Sequence, residues 1–211
     1  GGKAEPGFVL NMLTDLRHQC GRLKVSAALK WIDEYKHQND KPLIVFTHHR
    51  DVMEALCEAM AEQYQFATIS GSVPAEMRTK FVEQFQAGEL DALVCSTVAA
   101  KEGLTLTAAD TVLFIEREWS PAWEEQAEDR VNRIGQDSDT VWATYLSVAG
   151  TIDEKFDRIV EAKRQDIKAV LDGGDIIERE GIAKALLEAM VEAGELPEDM
   201  LTGFSKYTEE E

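Results

Sequence analysis

The chain has 211 residues, of which 44% are hydrophobic and 29% charged, and this length suffices to bury a core without a disulfide or metal staple. The longest apolar stretches, such as 42–46 and 111–115, fall far short of the roughly 20 residues of a membrane-spanning helix, so we expect a soluble protein. The formal net charge of −18 argues against a polyanionic partner, but phosphate contacts need only a few placed side chains and backbone amides.

The first predicted elements are two helices. Apolar side chains at three- and four-residue spacing cover 8–20 and 24–38, and Gly21 between them is expected to end the first helix. We take Gly1 and Gly2 as a cloning scar or the start of a fragment and leave them out of the fold argument.

Short, uninterrupted apolar runs then alternate with amphipathic segments. The run at 42–46 predicts a strand that is buried on both faces, and 92–96 and 111–115 follow the same pattern. Further strands are predicted at 66–70 and 141–147. The amphipathic segments predict helices at 51–64, 75–87, 121–133, 151–171 and 180–193. This alternation predicts an α/β fold: a mostly parallel sheet of about five or six strands with helices on both faces, followed by C-terminal helices. We expect functional residues at the carboxyl ends of the strands.

The chain lacks the motifs of several enzyme classes. It has no GxxxxGK[ST] loop to hold phosphates, no HExxH or Cys/His spacing for a metal, and no GxSxG nucleophile turn. We therefore expect no metal ligands on this chain. Its three cysteines lie far apart without a CxxC pair, which favours reduced thiols and an intracellular protein.

One segment, QAEDRVNRIGQ at 126–136, places Gln126, Arg130 and Arg133 at helical i, i+4, i+7 spacing and so on one helix face. Two arginines converging at the edge of an α/β sheet suit the phosphate oxygens of a nucleotide. The alternative is a surface ladder in which Arg133 pairs with Asp129 and Arg130 with Gln126. Spacing alone favours the ladder, because exposed helical charges are usually solvated.

The same segment resembles motif VI of the Swi/Snf-type ATPases in helicase superfamily two, and three upstream segments resemble other motifs of that family in the same order. PLIVFTHHRDVMEAL at 42–56 resembles motif IV, and ISGSVPAEMRTKFVEQFQ at 69–86 resembles the segment that follows it. Residues 93–121 resemble motif V with its Trp-Asn/Ser-Pro extension. The resemblance covers about residues 22–172. It is closest to the fork-remodelling, strand-annealing branch.

This resemblance implies that the chain is the second RecA-like lobe of an ATP-dependent translocase on double-stranded or forked DNA. In that family ATP is hydrolysed between two lobes, and the P-loop and Mg²⁺ ligands belong to the N-terminal RecA-like lobe. The chain alone is then expected to be inactive in ATP hydrolysis. The resemblance implies a RecA-like lobe (22–150) and a brace helix (151–173). Before them we expect an N-terminal helix with the cloning scar (1–21), and after them an acidic, partly disordered helical tail (174–211).

The resemblance also implies roles for individual residues. Arg130 and Arg133 match the motif VI arginines that complete the ATP site, with Arg133 as the arginine finger. Gly103 and Gln126 are expected to face the nucleotide. The residues expected to bind or support the DNA backbone are Gly71, Ser72, Thr97, Lys101 and Trp119.

Each of these roles has a structural alternative. Thr97 can simply cap the turn that follows it, the pair Gly71 and Ser72 can be only a turn, and Trp119 can be part of a core. His48 and His49 follow a buried strand, where they either line the cleft between the lobes or are structural.

Two other functions are compatible with the same fold. The chain can be a stand-alone module that kept the lobe fold and binds a protein or nucleic acid. It can also be the equivalent lobe of an RNA helicase, although those enzymes usually show HRxGRxxR where this chain has QAEDRVNRIGQ.

Overall fold

A computed structural model describes residues 6–97, 104–132, 135–167 and 175–201. The helices in this part of the chain are α1 (Pro6–Gln38), α2 (Arg50–Met60), α3 (Ala75–Gln86), α4 (Pro121–Asp129), α5 (Ile152–Ile167) and α6 (Asp175–Glu192). The strands are β1 (Leu43–Thr47), β2 (Phe66–Ile69), β3 (Ala92–Ser96), β4 (Thr111–Phe114) and β5 (Trp142–Tyr145). None of the helices so described is both long and apolar enough to cross a bilayer.

The five strands form one parallel sheet in the order β2-β3-β1-β4-β5. Each strand lies where an apolar run predicted it, and the α/β fold with a mostly parallel sheet is confirmed. In a parallel sheet all strands end at the same edge, so the segments that follow them are brought together there.

Apolar side chains cover both faces of the inner strands β1, β3 and β4, which explains why these three are apolar runs, whereas the edge strand β5 is exposed to half-buried. On one face Ile44, Phe46 and Phe114 pack with the α3 residue Phe85 and the α4 residue Ala127. On the other face the intervening strand residues pack against α1 and α2, and this cluster includes Leu43, Val45, Leu113, Ala28, Ile32, Val52 and Leu56. The alternation follows from the period of two along a strand.

The chain divides into two compact units. Among the described residues, the sheet unit consists of 21–97, 104–118, 122–132 and 135–147. The helical unit consists of the described residues 6–20, 119–121, 148–167 and 175–201. Within the helical unit, buried side chains of α5 and α6 pack with residues of the first part of α1, and this core includes Leu13, Phe156, Val160, Ile182, Leu186 and Met190.

The prediction that Gly21 separates two helices is wrong, because α1 runs without a break from Pro6 to Gln38. Gly21 keeps a negative φ there. A Cβ atom added at Gly21 would overlap the carboxylate of Glu116 and lie 2.8 Å from its Cδ. The glycine therefore allows a close approach of another side chain to the helix, instead of ending the helix in a left-handed turn.

Candidate functional site

The segments that follow β1, β3 and β4 meet at the carboxyl edge of the sheet, because these three strands are neighbours. They carry His48 and His49 after β1, Thr97 after β3, and Glu116 and Glu118 shortly after β4. Parallel strands thus bring together residues that are up to 70 positions apart in the chain.

Glu116 is a buried carboxylate of this edge that contacts both histidines. Its Oε2 accepts the backbone N–H groups of His48 and His49 at 2.9 Å each, and its Oε1 lies 2.5 Å from His49 Nδ1. Burial raises the pKa of Glu116, the hydrogen bonds from the ring and amides lower it, and the net pKa lies below its ordinary value. The charged carboxylate therefore holds the turn between β1 and α2 against the end of β4.

The second histidine pairs with the second glutamate. His48 Nδ1 lies 2.7 Å from Glu118 Oε1 and 3.5 Å from the hydroxyl of Thr97. Thr97 is only 4% exposed. Both histidine rings contact buried carboxylates, as the structural alternative predicted, and both also line a cleft at this edge. The phosphate contact of Thr97 stays a prediction.

That cleft has a volume of about 490 Å³ and lies at the carboxyl ends of β1, β2 and β3. Gly71 and Ser72 line it and are exposed. The Ser72 hydroxyl lies 2.9 Å from that of Ser70, and Arg78 donates to the carbonyl oxygens of Gly71 and Val73 at 3.4 and 2.6 Å. The turn is thus held from within while its outer side remains open, and its role in DNA binding stays a prediction.

The helix that carries the predicted nucleotide-binding residues is shorter than predicted. It ends at Asp129 instead of 133, and the N–H of Arg130 bonds to Ala127 O at 3.2 Å. Such i→i−3 bonds tighten the last turn of a helix. Gln126 is exposed on α4, and Arg130 is half-buried in the turn after it. Arg130 is therefore not a residue of the helix face on which its spacing placed it.

Three predicted site residues, Lys101, Gly103 and Arg133, lie outside the described residues.

Trp119 belongs to the helical unit and is 5% exposed. Its ring packs edge-to-face on Phe156 at 5.1 Å, and the Arg17 guanidinium lies 4.6 Å from its centroid. The structure thus places this tryptophan in a core, and its support of a DNA track stays a prediction.

Sequence reasoning missed the buried charged residues of this edge. Arg117 and Glu124 form an ion pair, and Glu116 and Glu118 pair with the histidines. No spacing motif marks them. A usable signal was present, however, because three charged residues directly follow a run that was predicted to be a buried strand. Charged groups at such a position need partners nearby.

Comparison with known proteins identifies the family. The model of the helicase conserved C-terminal domain matches residues 24–135, which is more than half of the chain. The DNA annealing helicase and endonuclease ZRANB3 of Mus musculus is 35% identical over 167 residues, which cover 78% of this chain and 16% of that protein. The putative ATP-dependent helicase/translocase YwqA of Bacillus subtilis is 37% identical over 184 residues, with 77% and 20% covered.

A solved structure supports the same fold. The crystal structure of the C-terminal part of the Fun30 ATPase domain has a TM-score of 0.61 at 22% identity, and the match covers 78% of this chain and 54% of that one. The chain spans about a sixth to a fifth of the length of these curated relatives. By its family match and its ordered motifs, the chain belongs to the helicase conserved C-terminal domain family, within the Swi/Snf-type proteins of superfamily two.

Proposed function

We propose that the chain is the second motor lobe of an ATP-dependent translocase on double-stranded or forked DNA. The observation that carries this proposal is the match to the helicase C-terminal domain over residues 24–135, a range that takes in every predicted site residue from Gly71 to Arg133. The relatives' names, an annealing helicase and a helicase/translocase, agree with this activity. An enzyme that acts on DNA in this way works inside the cell.

On the ATP side we assign Gln126, Arg130, Arg133 and Gly103. The backbone oxygen of Arg130 accepts the N–H of Leu106 at 2.9 Å, so the segment after α4 is bonded to the segment that leads into β4. Gln136 strengthens this link, because its Nε2 donates to the oxygens of Ala109 and Val131 at 2.7 and 3.1 Å. These bonds support a site in which the motif V and motif VI residues act on one nucleotide.

The chemistry of these donors fits phosphate and does not fit a metal ion. Guanidinium and amide N–H groups donate to phosphate oxygens, whereas Mg²⁺ needs carboxylate, phosphate or water oxygens. We therefore assign the Mg²⁺ ligands and the phosphate loop to an N-terminal RecA-like lobe of the same protein. That lobe is the partner that completes the ATP site, and the chain alone is inactive in hydrolysis.

On the DNA side we assign Gly71, Ser72, Thr97, Lys101 and, as a support, Trp119. The exposed turn of Gly71 and Ser72 offers backbone amides, and a Cβ atom at Gly71 would meet open space within 4 Å. Contacts of amides and hydroxyls with phosphates carry no sequence information. That property suits a motor which must move along DNA of any sequence.

The test is Arg133→Ala in the protein that contains both lobes. An arginine finger meets charge that develops in the transition state, so its loss is expected to lower DNA-stimulated ATP turnover by roughly 10³- to 10⁵-fold while DNA binding is largely kept. Arg158→Ala is the matched control, because this α5 arginine has an exposed side chain paired with Glu154. Loss of DNA binding with normal hydrolysis would contradict the assigned roles.

A further inference from the structure

The helix α4 is bound to the end of β4 by a buried ion pair. The Arg117 guanidinium binds the Glu124 carboxylate through two hydrogen bonds. Nε donates to Oε1 at 3.0 Å, and Nη2 donates to Oε2 at 2.7 Å. The two side chains are 5% and 0% exposed. The N–H of Glu118 also donates to Glu124 Oε1 at 3.0 Å. Such a bidentate pair fixes the relative orientation of the two groups as well as the distance between them.

A second contact binds α4 to the end of β5. The hydroxyl of Tyr145, the last residue of β5, donates to the carboxylate of Glu128. The Tyr145 ring stacks on Phe114 with centroids 4.6 Å apart, and Arg117 Cζ lies 4.3 Å from the Tyr145 centroid. The two contacts therefore form one network, which joins two neighbouring strand ends to a single helix.

The network contacts one side of α4, whereas Gln126 and Asp129 on other sides of the helix are exposed. Glu124 and Glu128 are four residues apart and share one side of the helix. Gln126 lies about 200° around the axis from Glu124 at 3.6 residues per turn, and it is exposed. Arg130 follows the helix by one residue. Any rotation of α4 about its axis would therefore move the residues assigned to the nucleotide.

Stability alone does not account for a buried ion pair at this place. Desolvation offsets most of the Coulombic gain, so a well-packed apolar pair is often as stable or more so. Apolar side chains, unlike a bidentate ion pair, do not fix the orientation of α4 relative to the end of β4. We propose, resting on the function proposed above, that Arg117 and Tyr145 are positioning residues which set the orientation of α4 and so place Gln126 and Arg130 against the ATP phosphates.

Two variants of the two-lobe protein test this inference. The double variant Arg117→Met/Glu124→Leu replaces the ion pair by apolar side chains, which is often nearly neutral, but it also removes the acceptor of the Glu118 N–H. The thermal unfolding midpoint is therefore expected to fall by no more than a few degrees. Tyr145→Phe removes only the hydroxyl and keeps the ring stack. Because misplacement by about 1 Å can cost roughly 10²-fold in rate, we expect kcat to fall at least about tenfold in the double variant and about threefold or more in Tyr145→Phe. The Kd for duplex DNA is expected to stay within about twofold.

The control is Lys30→Gln/Glu34→Gln, an exposed i, i+4 ion pair on α1, which is expected to leave kcat and the unfolding midpoint unchanged. Unchanged kcat in both test variants, with an active wild type, would overturn the inference and leave the proposed function intact. A fall in kcat that merely follows a loss of thermal stability would overturn it as well. A wild-type two-lobe protein without DNA-stimulated ATP hydrolysis would overturn the proposed function and this inference together. Should the double variant fail to fold, Tyr145→Phe decides.

Discussion

At the edge of the sheet, the buried carboxylate of Glu116 contacts residues of several different elements. It accepts two consecutive backbone amides and contacts the ring of His49, and it lies against Gly21 of α1, where the helix has no side chain. Gly21, Glu116 and His49 come from three separate segments of the chain and are in contact with one another through the Glu116 carboxylate. Changes at this point are expected to be costly, because the carboxylate is 3% exposed and cannot move into solvent.

Gly21→Ala is therefore expected to destabilise the protein by about 1 to 3 kcal/mol, since the added methyl group overlaps a carboxylate that is held by hydrogen bonds. Helix propensity alone predicts the opposite sign, because alanine is favoured over glycine by roughly 1 kcal/mol inside a helix. Gly181→Ala in α6 is the matched control, because its nearest neighbour would be Lys163 Nζ at 3.6 Å. Urea unfolding of both variants measures the difference, and stabilisation by Gly21→Ala would contradict the account.

The lowered pKa of Glu116 predicts that the free energy of unfolding depends on pH. Its pKa in the folded state is lowered, so its contribution is complete above the ordinary glutamate pKa of about 4.3 and is lost as the pH falls through the lower folded-state pKa. The difference in free energy of unfolding between wild type and Glu116→Gln is thus expected to be largest above about pH 5 and to shrink toward about pH 3. A difference that stays constant over this range would show that the charge of Glu116 does not matter.

Individual residues differed in how far the sequence could locate them. The ordered motifs placed Thr97, Gly71 and Ser72 after their strands, and the structure has them at the carboxyl edge. Arg117 and Glu116 could not be found by spacing, because their partners come from other elements. A single sequence shows which residues follow a strand, but it does not show which distant side chain meets them there.

At the scale of elements, the strands were the most predictable part. The three inner strands β1, β3 and β4 are continuous apolar runs because both of their faces are covered, and such runs are hard to mistake. Helix ends were less predictable. The apolar pattern continued past Asp129, but the backbone tightens there into i→i−3 bonds, and Gly21 resembled a stop signal although it serves a contact with a distant side chain. Both errors arise because tertiary contacts override local preferences.

The start of α5 forms a variant of the capping box, in which the first cap residue and a glutamate three positions later each accept a backbone N–H. Thr151 Oγ1 accepts the N–H of Asp153 at 3.2 Å, and Glu154 accepts the N–H of Gly150 at 3.0 Å instead of that of Thr151. Thr151→Ala is expected to cost about 1 kcal/mol, as the loss of an N-cap does. The control is Thr79→Ala in α3, whose exposed hydroxyl bonds only back to Ala75 O among the contacts described; there the change is expected to stay within about 0.5 kcal/mol.

At the scale of the whole molecule, the assigned ATP-site residues supply cationic and amide donors and no phosphate loop. An arginine finger lowers the barrier only when it reaches a triphosphate that another lobe holds, so the proposed activity belongs to two lobes together. Nucleotide-dependent closing and opening of the lobes would then shift the backbone grip of this chain along one DNA strand. In the proposed cycle, this chain is the second partner.

The most direct measurement compares DNA-stimulated ATP hydrolysis by this chain alone and by a protein in which the N-terminal RecA-like lobe precedes it. We predict no turnover above background for the chain alone, with or without duplex DNA, and turnover stimulated by duplex DNA once the N-terminal lobe is joined. Robust hydrolysis by the chain alone would contradict the assignment of half an ATP site, and so would the absence of hydrolysis when both lobes are present.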